Sequence, residues 1–197
     1  LAKYREPSTR RSIFELIVTL GPFALLWTLA WIALSISNLL ALGIAVLNGL
    51  FLVRIFCIQH DCGHASFFPN RTAQDWVGRF LGVLTLTPYD VWRRNHSIHH
   101  AHAGNLDRRG IGDVVTLTVA EYQERSLLGR LKYRLYRSPL VMFVLGPTYL
   151  FMVEYRLPVG LMTAGWRYWL SAMGTNLVLA LLLFGLYLAG GLAPIFL

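Results

Sequence analysis

The chain has 197 residues, of which 55% are hydrophobic and 14% are charged, and its formal net charge is +8. Soluble domains carry about 25% charged residues, so this composition excludes a disordered chain, a disulfide scaffold and an ordinary water-soluble globule. It predicts an integral membrane protein. The basic balance does not indicate a nucleic-acid partner, because the cations flank apolar segments, as they do on the cytoplasmic side of membrane proteins.

Two long apolar runs open the chain. The first covers residues 13–35 and the second covers residues 39–58, and the turn between them is uncharged. A helix of 20 residues rises about 30 Å, which matches the hydrocarbon core of a bilayer. The sequence therefore predicts a transmembrane hairpin over 13–58. Arg54, near the end of the second run, is expected to extend its guanidinium to the nearby membrane surface, and pairing with an Asp is the alternative.

The distribution of basic residues predicts the orientation of this hairpin. Four cations precede the first run, and the segment 59–138 contains ten arginines and one lysine. Because cytoplasmic loops carry the excess of Lys and Arg, we expect the N-terminus and the 59–138 segment on the cytoplasmic side. In a bacterium this would be the inner face of the plasma membrane.

The 59–138 segment contains two further patterns. Residues 80–91 are apolar but too short to span, which predicts an interfacial or re-entrant piece. Thr118 and Glu121 have capping-box spacing, which predicts a helix that begins there and ends before Pro139. Four leucines share one face of this helix and the cations lie largely elsewhere. Such a helix either lies on an anionic leaflet or packs on the protein's own core.

Residues 139–197 are predicted to form further membrane segments. Residues 140–155 are apolar and interrupted by Gly-Pro, so they either span obliquely or re-enter. Residues 168–197 contain no charge, and Gly190, Gly191 and Pro194 are expected to break them. The predicted fold class is all-α integral membrane, with about four transmembrane helices and a cytoplasmic helical cap. The chain does not start with Met and ends on apolar residues, and we expect a partial domain.

All six histidines lie in one stretch, between His60 and His102. His60 and His64 are four residues apart, and a continuing helix would place both rings on one face. His96, His99 and His100 follow at i, i+3 and i+4, which also share a helical face. Imidazole binds Fe, Zn, Cu and Ni. A tetrahedral zinc takes at most four protein ligands, so five histidines favour two metals, or one metal and a second, incomplete site.

Polar residues near these histidines are candidates to orient the rings. Asp61, Asn95 and Asp107 could accept a ring N–H and so hold a ligand in place. Two other residues are expected to have no metal role. His102 is expected to be an ordinary polar residue, and Cys62 to be a small packing residue rather than a thiolate ligand.

The two histidine clusters resemble the histidine boxes of membrane fatty acid desaturases. Residues 60–64, His-Asp-Cys-Gly-His, resemble the first box, H-x-x-x-H. Residues 94–100, Arg-Asn-His-Ser-Ile-His-His, resemble the second box, H-x-x-H-H. Residues 104–113 are similar to the bacterial acyl-lipid branch of the omega-6 (delta-12) type. The resemblance extends over the whole chain and implies one partial desaturase domain, 1–197.

This resemblance implies a membrane enzyme with a non-haem di-iron site. Such enzymes use O2 and two electrons, from a donor of the ferredoxin or cytochrome b5 type, to introduce a cis double bond into a lipid acyl chain. The implied partners are therefore membrane lipids and an electron-transfer protein. The implied iron ligands are His60, His64, His96, His99 and His100, with no catalytic residue beyond them. The family carries a third box, H/Q-x-x-H-H, and no histidine follows His102, so we expect a truncated chain that is inactive alone.

Three other interpretations remain open. A hydroxylase, acetylenase or ketolase of the same superfamily would have nearly the same boxes. An intramembrane zinc protease is the second, because H-D-x-x-H differs from H-E-x-x-H only in its acid. In that case Asp61 would be the general base and the second cluster would have no role. A metal transporter is disfavoured, because the apolar runs contain almost no ionisable residues to form a path.

Overall fold

The computed structural model describes residues 6–110 and 114–196, and these residues form helices and turns without a strand. The all-α prediction is therefore confirmed for the described part of the chain. Its α-helices, in chain order, are α1 (Thr9–Ala33), α2 (Asn38–Gly63), α3 (Arg71–Leu84), α4 (Tyr89–His102), α5 (Val119–Glu124), α6 (Leu127–Tyr136), α7 (Gly146–Met152) and α8 (Trp166–Gly190).

Three of these helices, α1, α2 and α8, are long and apolar enough to cross a membrane. A fourth crossing results if α6 and the segment Val141–Arg156, bent by 54°, are counted as one broken span. This agrees with the prediction of about four transmembrane helices. The predicted hairpin over 13–58 falls within α1 and α2, which extend beyond it at both ends.

The described residues divide into two compact units, of which the first contains residues 1–89 and 174–197. In it, α1 and α2 are joined by polar groups within their apolar surfaces. Arg54 donates through Nε to Thr19 Oγ1 at 2.7 Å and through Nη2 to Glu15 Oε2 at 2.5 Å. The structure thus pairs Arg54 with Glu15, in place of the expected extension to the membrane surface and of the alternative pairing with an Asp. The reason is that a cation in an apolar helix is stabilised by the nearest carboxylate of its neighbour.

Close packing in the first unit brings α3 against Tyr89. A Cβ atom on Gly78 would lie 2.3 Å from the Tyr89 ring, and one on Gly82 would lie 2.5 Å from the carbonyl oxygen of Thr87. The Tyr89 hydroxyl donates to Asp75 Oδ1 at 3.2 Å. Glycine at positions 78 and 82 is therefore required for this approach.

Residues 80–91, predicted to be an interfacial or re-entrant piece, are divided between two helices, and their position relative to a membrane stays a prediction. Residues 80–84 end α3, a turn follows, and α4 begins at Tyr89. The turn is a helix-ending motif in which Thr87 N–H donates to the Gly82 carbonyl and Leu86 takes a left-handed φ of 56°. Pro88 follows this left-handed residue, so the apolar pattern continues while the helix does not.

The second unit contains residues 90–173. Its core is built from Val91 of α4 together with Leu161 and Ala172, all buried. Two polar contacts fasten α4 to the same region. The Asp90 N–H donates to Ser171 Oγ at 3.1 Å, and Asn95 Nδ2 donates to the Val159 carbonyl at 3.3 Å.

The capping box predicted at Thr118 is confirmed, because the Thr118 hydroxyl accepts from the Glu121 N–H and the Glu121 carboxylate accepts from the Thr118 N–H. The single helix predicted to follow is broken into α5 and α6. Ser126 causes the break: its Oγ accepts from the Gly129 N–H at 3.2 Å and so starts a new helix.

The last membrane-length helix ends as predicted. Helix α8 stops at Gly190, and a 3-10 turn over Ala193–Phe196 follows Gly191, whose φ is 71°. A Cβ atom on Gly190 would lie 2.8 Å from Trp31 Cζ2, so this end of α8 packs closely on α1 within the first unit.

Candidate metal centre

The first histidine pair lies in the last turn of α2. The Nε2 atoms of His60 and His64 are 3.2 Å apart, and their ring centroids are 4.4 Å apart. The helix ends at Gly63, and His64 is its C-cap residue. The Ala65 N–H donates to the Cys62 carbonyl and the Ser66 N–H to the Asp61 carbonyl, with Ala65 at a left-handed φ of 58°. This arrangement keeps the backbone helical as far as Gly63, and so the rings of His60 and of the C-cap residue His64 stay one turn apart on one face.

Buried residues on the opposite side of α2 support this pair. Gln59 is fully buried, and its Oε1 accepts from Thr85 Oγ1 at 2.5 Å. Cys62 is also fully buried and is a free thiol. It lies two residues from each histidine and therefore on the other side of the helix. This agrees with a packing role for Cys62.

The second histidine pair lies on α4. The Nε2 atoms of His96 and His100 are 3.1 Å apart, and their ring centroids are 4.4 Å apart. Trp92, one turn earlier, stacks on the His96 ring with centroids 4.7 Å apart and planes 15° apart. Trp92 is only 6% exposed, so the stacking surface is itself held by packing. The orientation of His96 therefore depends on the indole of Trp92.

The other two histidines of α4 lie outside this pair. The His99 ring centroid is 5.7 Å from that of His100 and 6.3 Å from that of His96. His102 has its Nδ1 2.9 Å from the Ile98 carbonyl oxygen, to which it donates within its own helix. The structure thus places His99 beside the pair and turns His102 toward its own backbone.

The geometry of each pair fits a bound metal ion. A ring nitrogen lies about 2.0–2.1 Å from a metal ion that it binds. If the nitrogen–metal–nitrogen angle lies between a right angle and the tetrahedral angle, two such nitrogens are about 2.9–3.4 Å apart. The observed separations of 3.1 and 3.2 Å fall in this range. Within the described residues, the histidines suited to hold a metal ion are His60 and His64 on α2 and His96 and His100 on α4.

The polar residues expected to orient the rings differ in where they lie. Asp61 Oδ1 is 3.6 Å from His60 Nδ1, which is within ion-pair range but too long for a hydrogen bond. Asn95 uses its amide to bind the Val159 carbonyl. Asp107 lies in the 3-10 turn Leu106–Arg108, and its N–H donates to Asn105 Oδ1 at 2.9 Å. The roles of these three residues toward the histidines stay predictions.

Sequence reasoning missed two supporting residues. They are Trp92, which stacks on His96, and Gln59, which is hydrogen-bonded to Thr85. The signal for Trp92 was its position, because a residue four before His96 lies on the same helical face. Gln59 gave no comparable signal, because its partner Thr85 is 26 residues away.

An ion pair fastens the chain after α4 to α5. The Arg109 guanidinium donates to both carboxylate oxygens of Glu121 and to the Thr116 carbonyl. This hydrogen-bonded guanidinium, helped by the N–H and hydroxyl of Thr118, lowers the pKa of Glu121 to about 2. The same contact raises the pKa of Arg109. The pair therefore stays charged at any physiological pH.

The sequence has clear relatives among known proteins. A family model described as fatty acid desaturase matches residues 37–197. The chain is 47% identical over 156 residues to a fatty acid desaturase of Bacillus subtilis. These aligned residues are 79% of the chain and 44% of that protein. It is 30% identical over 151 residues to a ferredoxin-dependent sn-1 acyl-lipid omega-3 desaturase of Synechocystis, covering 74% of the chain and 38% of that protein.

A further relative has a different reaction in its name. The chain is 38% identical over 85 residues to an oleate hydroxylase of Claviceps purpurea, covering 43% of the chain and 17% of that protein. The chain spans less than half the length of these curated relatives. No solved structure matches the chain significantly.

Proposed function

The chain belongs to the fatty acid desaturase family, a family of oxidoreductases, and on this premise we propose that the whole protein introduces a cis double bond into a lipid acyl chain. One observation carries the proposal. Two pairs of histidines, each with chelating separation between its Nε2 atoms, lie within the region that the family model matches. The reaction is proposed for the whole protein, since the chain spans 44% of the Bacillus desaturase.

We propose that the histidine boxes hold iron. The ligands would be His60 and His64 from the first box, and His96, His99 and His100 from the second. The separations within the two Nε2 pairs support chelation, and His99 is included because it completes the H-x-x-H-H pattern of the second box. When bound, iron would supply the activation of O2 that an unactivated C–H bond requires.

The chain's own residues would position the substrate and protect the site. Apolar helices of membrane length allow an acyl tail to enter from the bilayer rather than from water. Neutral imidazoles would hold a cation without adding charge of their own to the site. In the balanced reaction two C–H bonds are lost, one C=C bond forms, and O2 with two electrons and two protons becomes two waters.

The electron donor and the membrane side are further parts of the proposal. A ferredoxin-type donor is favoured by the name of the Synechocystis relative. An acidic carrier would be attracted by the arginines of the 59–138 segment. The positive-inside rule places this segment, and with it the boxes, on the cytoplasmic side, where such carriers are reduced.

A fatty acid hydroxylase is the second candidate, because one relative is named an oleate hydroxylase. The two reactions differ in product, since a hydroxylase inserts one oxygen atom of O2 and a desaturase inserts none. An intramembrane zinc protease is disfavoured, because it would leave the histidine pair on α4 without a role.

The test is expression of the complete reading frame in a bacterium that lacks polyunsaturated lipids, with a ferredoxin and its reductase. Fatty acid methyl esters are then analysed by mass spectrometry. A new double bond supports the proposal, and a hydroxylated acyl chain selects the second candidate. Folded, iron-loaded protein that forms neither product overturns both.

Matched histidine variants make this test specific. His60→Ala and His96→Ala should abolish the product, because each removes a proposed ligand. His102→Ala is the control, because that ring binds the Ile98 carbonyl and is not among the proposed ligands. Equal loss in all three variants would indicate a general folding defect and would argue against the ligand assignment.

A further inference from the structure

We propose that α6 is an in-plane membrane anchor that binds the acidic phospholipids of one leaflet. The proposal concerns the second unit alone and does not depend on the reaction proposed above. It is based on the exposure of one face of α6, on the contacts of the opposite face, and on the position of its cations.

The apolar face of α6 has no covering among the described residues. Its four leucines are between 52% and 83% exposed. At about 100° per residue, they fall within an arc of about 100° of the helix surface. Packing on the protein's own core, the alternative drawn from the sequence, would bury these side chains. The leucines of this face are Leu127, Leu128, Leu131 and Leu135.

The opposite face of α6 is fastened to the protein. The hydroxyl of Tyr133 accepts from the Leu117 N–H at 3.0 Å, and that of Tyr136 accepts from the Val115 N–H at 3.2 Å. These tyrosines therefore fix which side of α6 faces inward. The leucine face points away from them, and so its exposure is a consequence of specific contacts rather than of a loosely held helix.

Cations lie on both flanks of the leucine face. Arg130 and Arg134 lie over the Tyr122 ring, and Arg134 also donates to the Tyr122 hydroxyl at 2.6 Å. On the other flank Lys132 is exposed, and Arg125, which lies between α5 and α6, is exposed as well. An apolar stripe between two rows of cations matches a bilayer surface with anionic headgroups. A purely apolar protein partner would leave these cations without counter-charge.

Chain connectivity places a bilayer close to this face. Three residues after α6, an apolar segment begins, in which Leu140, Phe143, Val144 and Leu145 are exposed. The alternative is that α6 is itself half of a broken span. That alternative would carry Arg130, Lys132 and Arg134 into the hydrocarbon, which is unfavourable. An in-plane position keeps the same cations at the headgroups.

The test measures the depth of α6 in the full chain reconstituted in lipid vesicles. A nitroxide is attached at Leu131→Cys in a Cys57→Ala background, which leaves only the buried Cys62. Its accessibility to O2, which enters lipid, and to a water-soluble nickel chelate is measured by electron paramagnetic resonance. We expect high O2 and low nickel accessibility at 131. Glu124→Cys on α5 is the water-exposed control, with the opposite pattern.

Two further labels separate an in-plane helix from a span. Leu128→Cys and Leu135→Cys are seven residues apart, which is roughly 10 Å along the axis. Equal depths at both positions support the proposal, and depths that differ by that length overturn it in favour of a broken span. Low accessibility to both reagents, which indicates burial against protein, also overturns it, as does high nickel accessibility.

The lipid class is tested by composition and charge. Docking of α6 on the bilayer, measured by the accessibilities of the nitroxide at position 131, should be stronger in vesicles of phosphatidylcholine with phosphatidylglycerol than in phosphatidylcholine alone. Arg125→Gln and Lys132→Gln should each weaken docking about fivefold in the phosphatidylglycerol vesicles. Arg71→Gln, an exposed cation on α3, is the matched control and should have no effect. Equal docking in both lipids would overturn the role of acidic headgroups.

Discussion

The two histidine-bearing helices build the same pair in different ways. Helix α2 is 26 residues long and apolar, and it carries His60 and His64 at its end. Helix α4 is 14 residues long and polar, and it carries His96 and His100. The Nε2 separations agree within 0.1 Å, at 3.2 and 3.1 Å. A chelating pair therefore requires only the i, i+4 spacing, whatever the surroundings of the helix.

The surroundings decide how each pair is kept in place. A helix long enough to span is oriented by the bilayer, and the Gln59–Thr85 hydrogen bond adds to this. A short polar helix has no such support, and α4 depends on Trp92, Asn95 and the core around Val91. We therefore expect substitutions near the second pair to disturb metal binding more than equivalent substitutions near the first.

The largest effect is expected from removing a ligand. His60→Ala and His96→Ala should each lower bound iron to below about a tenth of the wild-type content, because even residues behind a ligand change affinity by 10–100-fold. Iron is measured by plasma mass spectrometry on purified protein, with membrane insertion checked by alkali extraction. Wild-type iron content in either variant would remove that histidine from the ligand set.

The second largest effect is expected at Trp92. Trp92→Ala removes a buried ring, which costs about 3–5 kcal/mol, and it also frees His96 to rotate. Iron affinity should fall about 10–100-fold. Trp92→Phe should retain much of the stability and of the iron affinity, because an aromatic ring can still stack on the imidazole. Iron titration and thermal unfolding check this, and unchanged affinity in Trp92→Ala would show that α4 does not depend on the stack.

A smaller effect on iron is expected from Thr85→Val. The substitution leaves the buried Gln59 Oε1 without its donor, at a cost of about 1–3 kcal/mol in unfolding free energy. Iron content should change little, because α2 remains oriented by its apolar length. Thr72→Val, at an exposed position of α3, is the matched control for thermal unfolding. If Thr85→Val lost as much iron as Trp92→Ala, the contrast between the two helices would be wrong.

The smallest effect is expected from the half-buried Arg109–Glu121 pair. The pKa of Glu121 is about 2 in the folded chain against an ordinary 4.5, so the carboxylate is favoured by folding. Its stabilising contribution is complete above about pH 4.5 and is lost as the pH falls toward about 2. Amide exchange in α5, corrected for its intrinsic pH dependence, should rise over this window. Glu121→Gln should abolish this pH dependence of amide exchange. If the pH dependence persisted in Glu121→Gln, another titrating group would be its cause.

Local patterns in the sequence predicted much of the fold and of the site. The apolar runs predicted α1 and α2, the capping box predicted the start of α5, and the histidine spacing predicted both pairs. Each of these depends on residues within a few turns of one helix. The pairing of Arg54 with Glu15 joins residues 39 apart, and no local pattern contains it.

Helix breaks were predicted less well, because one side chain decides them. The apolar pattern of residues 80–91 continues across the left-handed Leu86, which ends α3 although leucine favours helices. The helix predicted from Thr118 continues in its pattern across Ser126, where a hydroxyl starts a new helix. A helical period in the sequence reports which face is apolar, and it does not report whether the backbone is continuous.

The position of the histidines at helix ends has an electrostatic consequence. His60 lies in the last turn of α2, and His99 and His100 lie in the last turn of α4. The peptide dipoles of a helix sum to roughly half a negative charge at its C-terminus, which favours a nearby cation by about 0.3–1 kcal/mol. Neutral imidazoles leave the charge of a divalent ion uncompensated. The backbone carbonyls at these two helix ends would supply counter-charge that the side chains do not, without bringing a carboxylate to the ion.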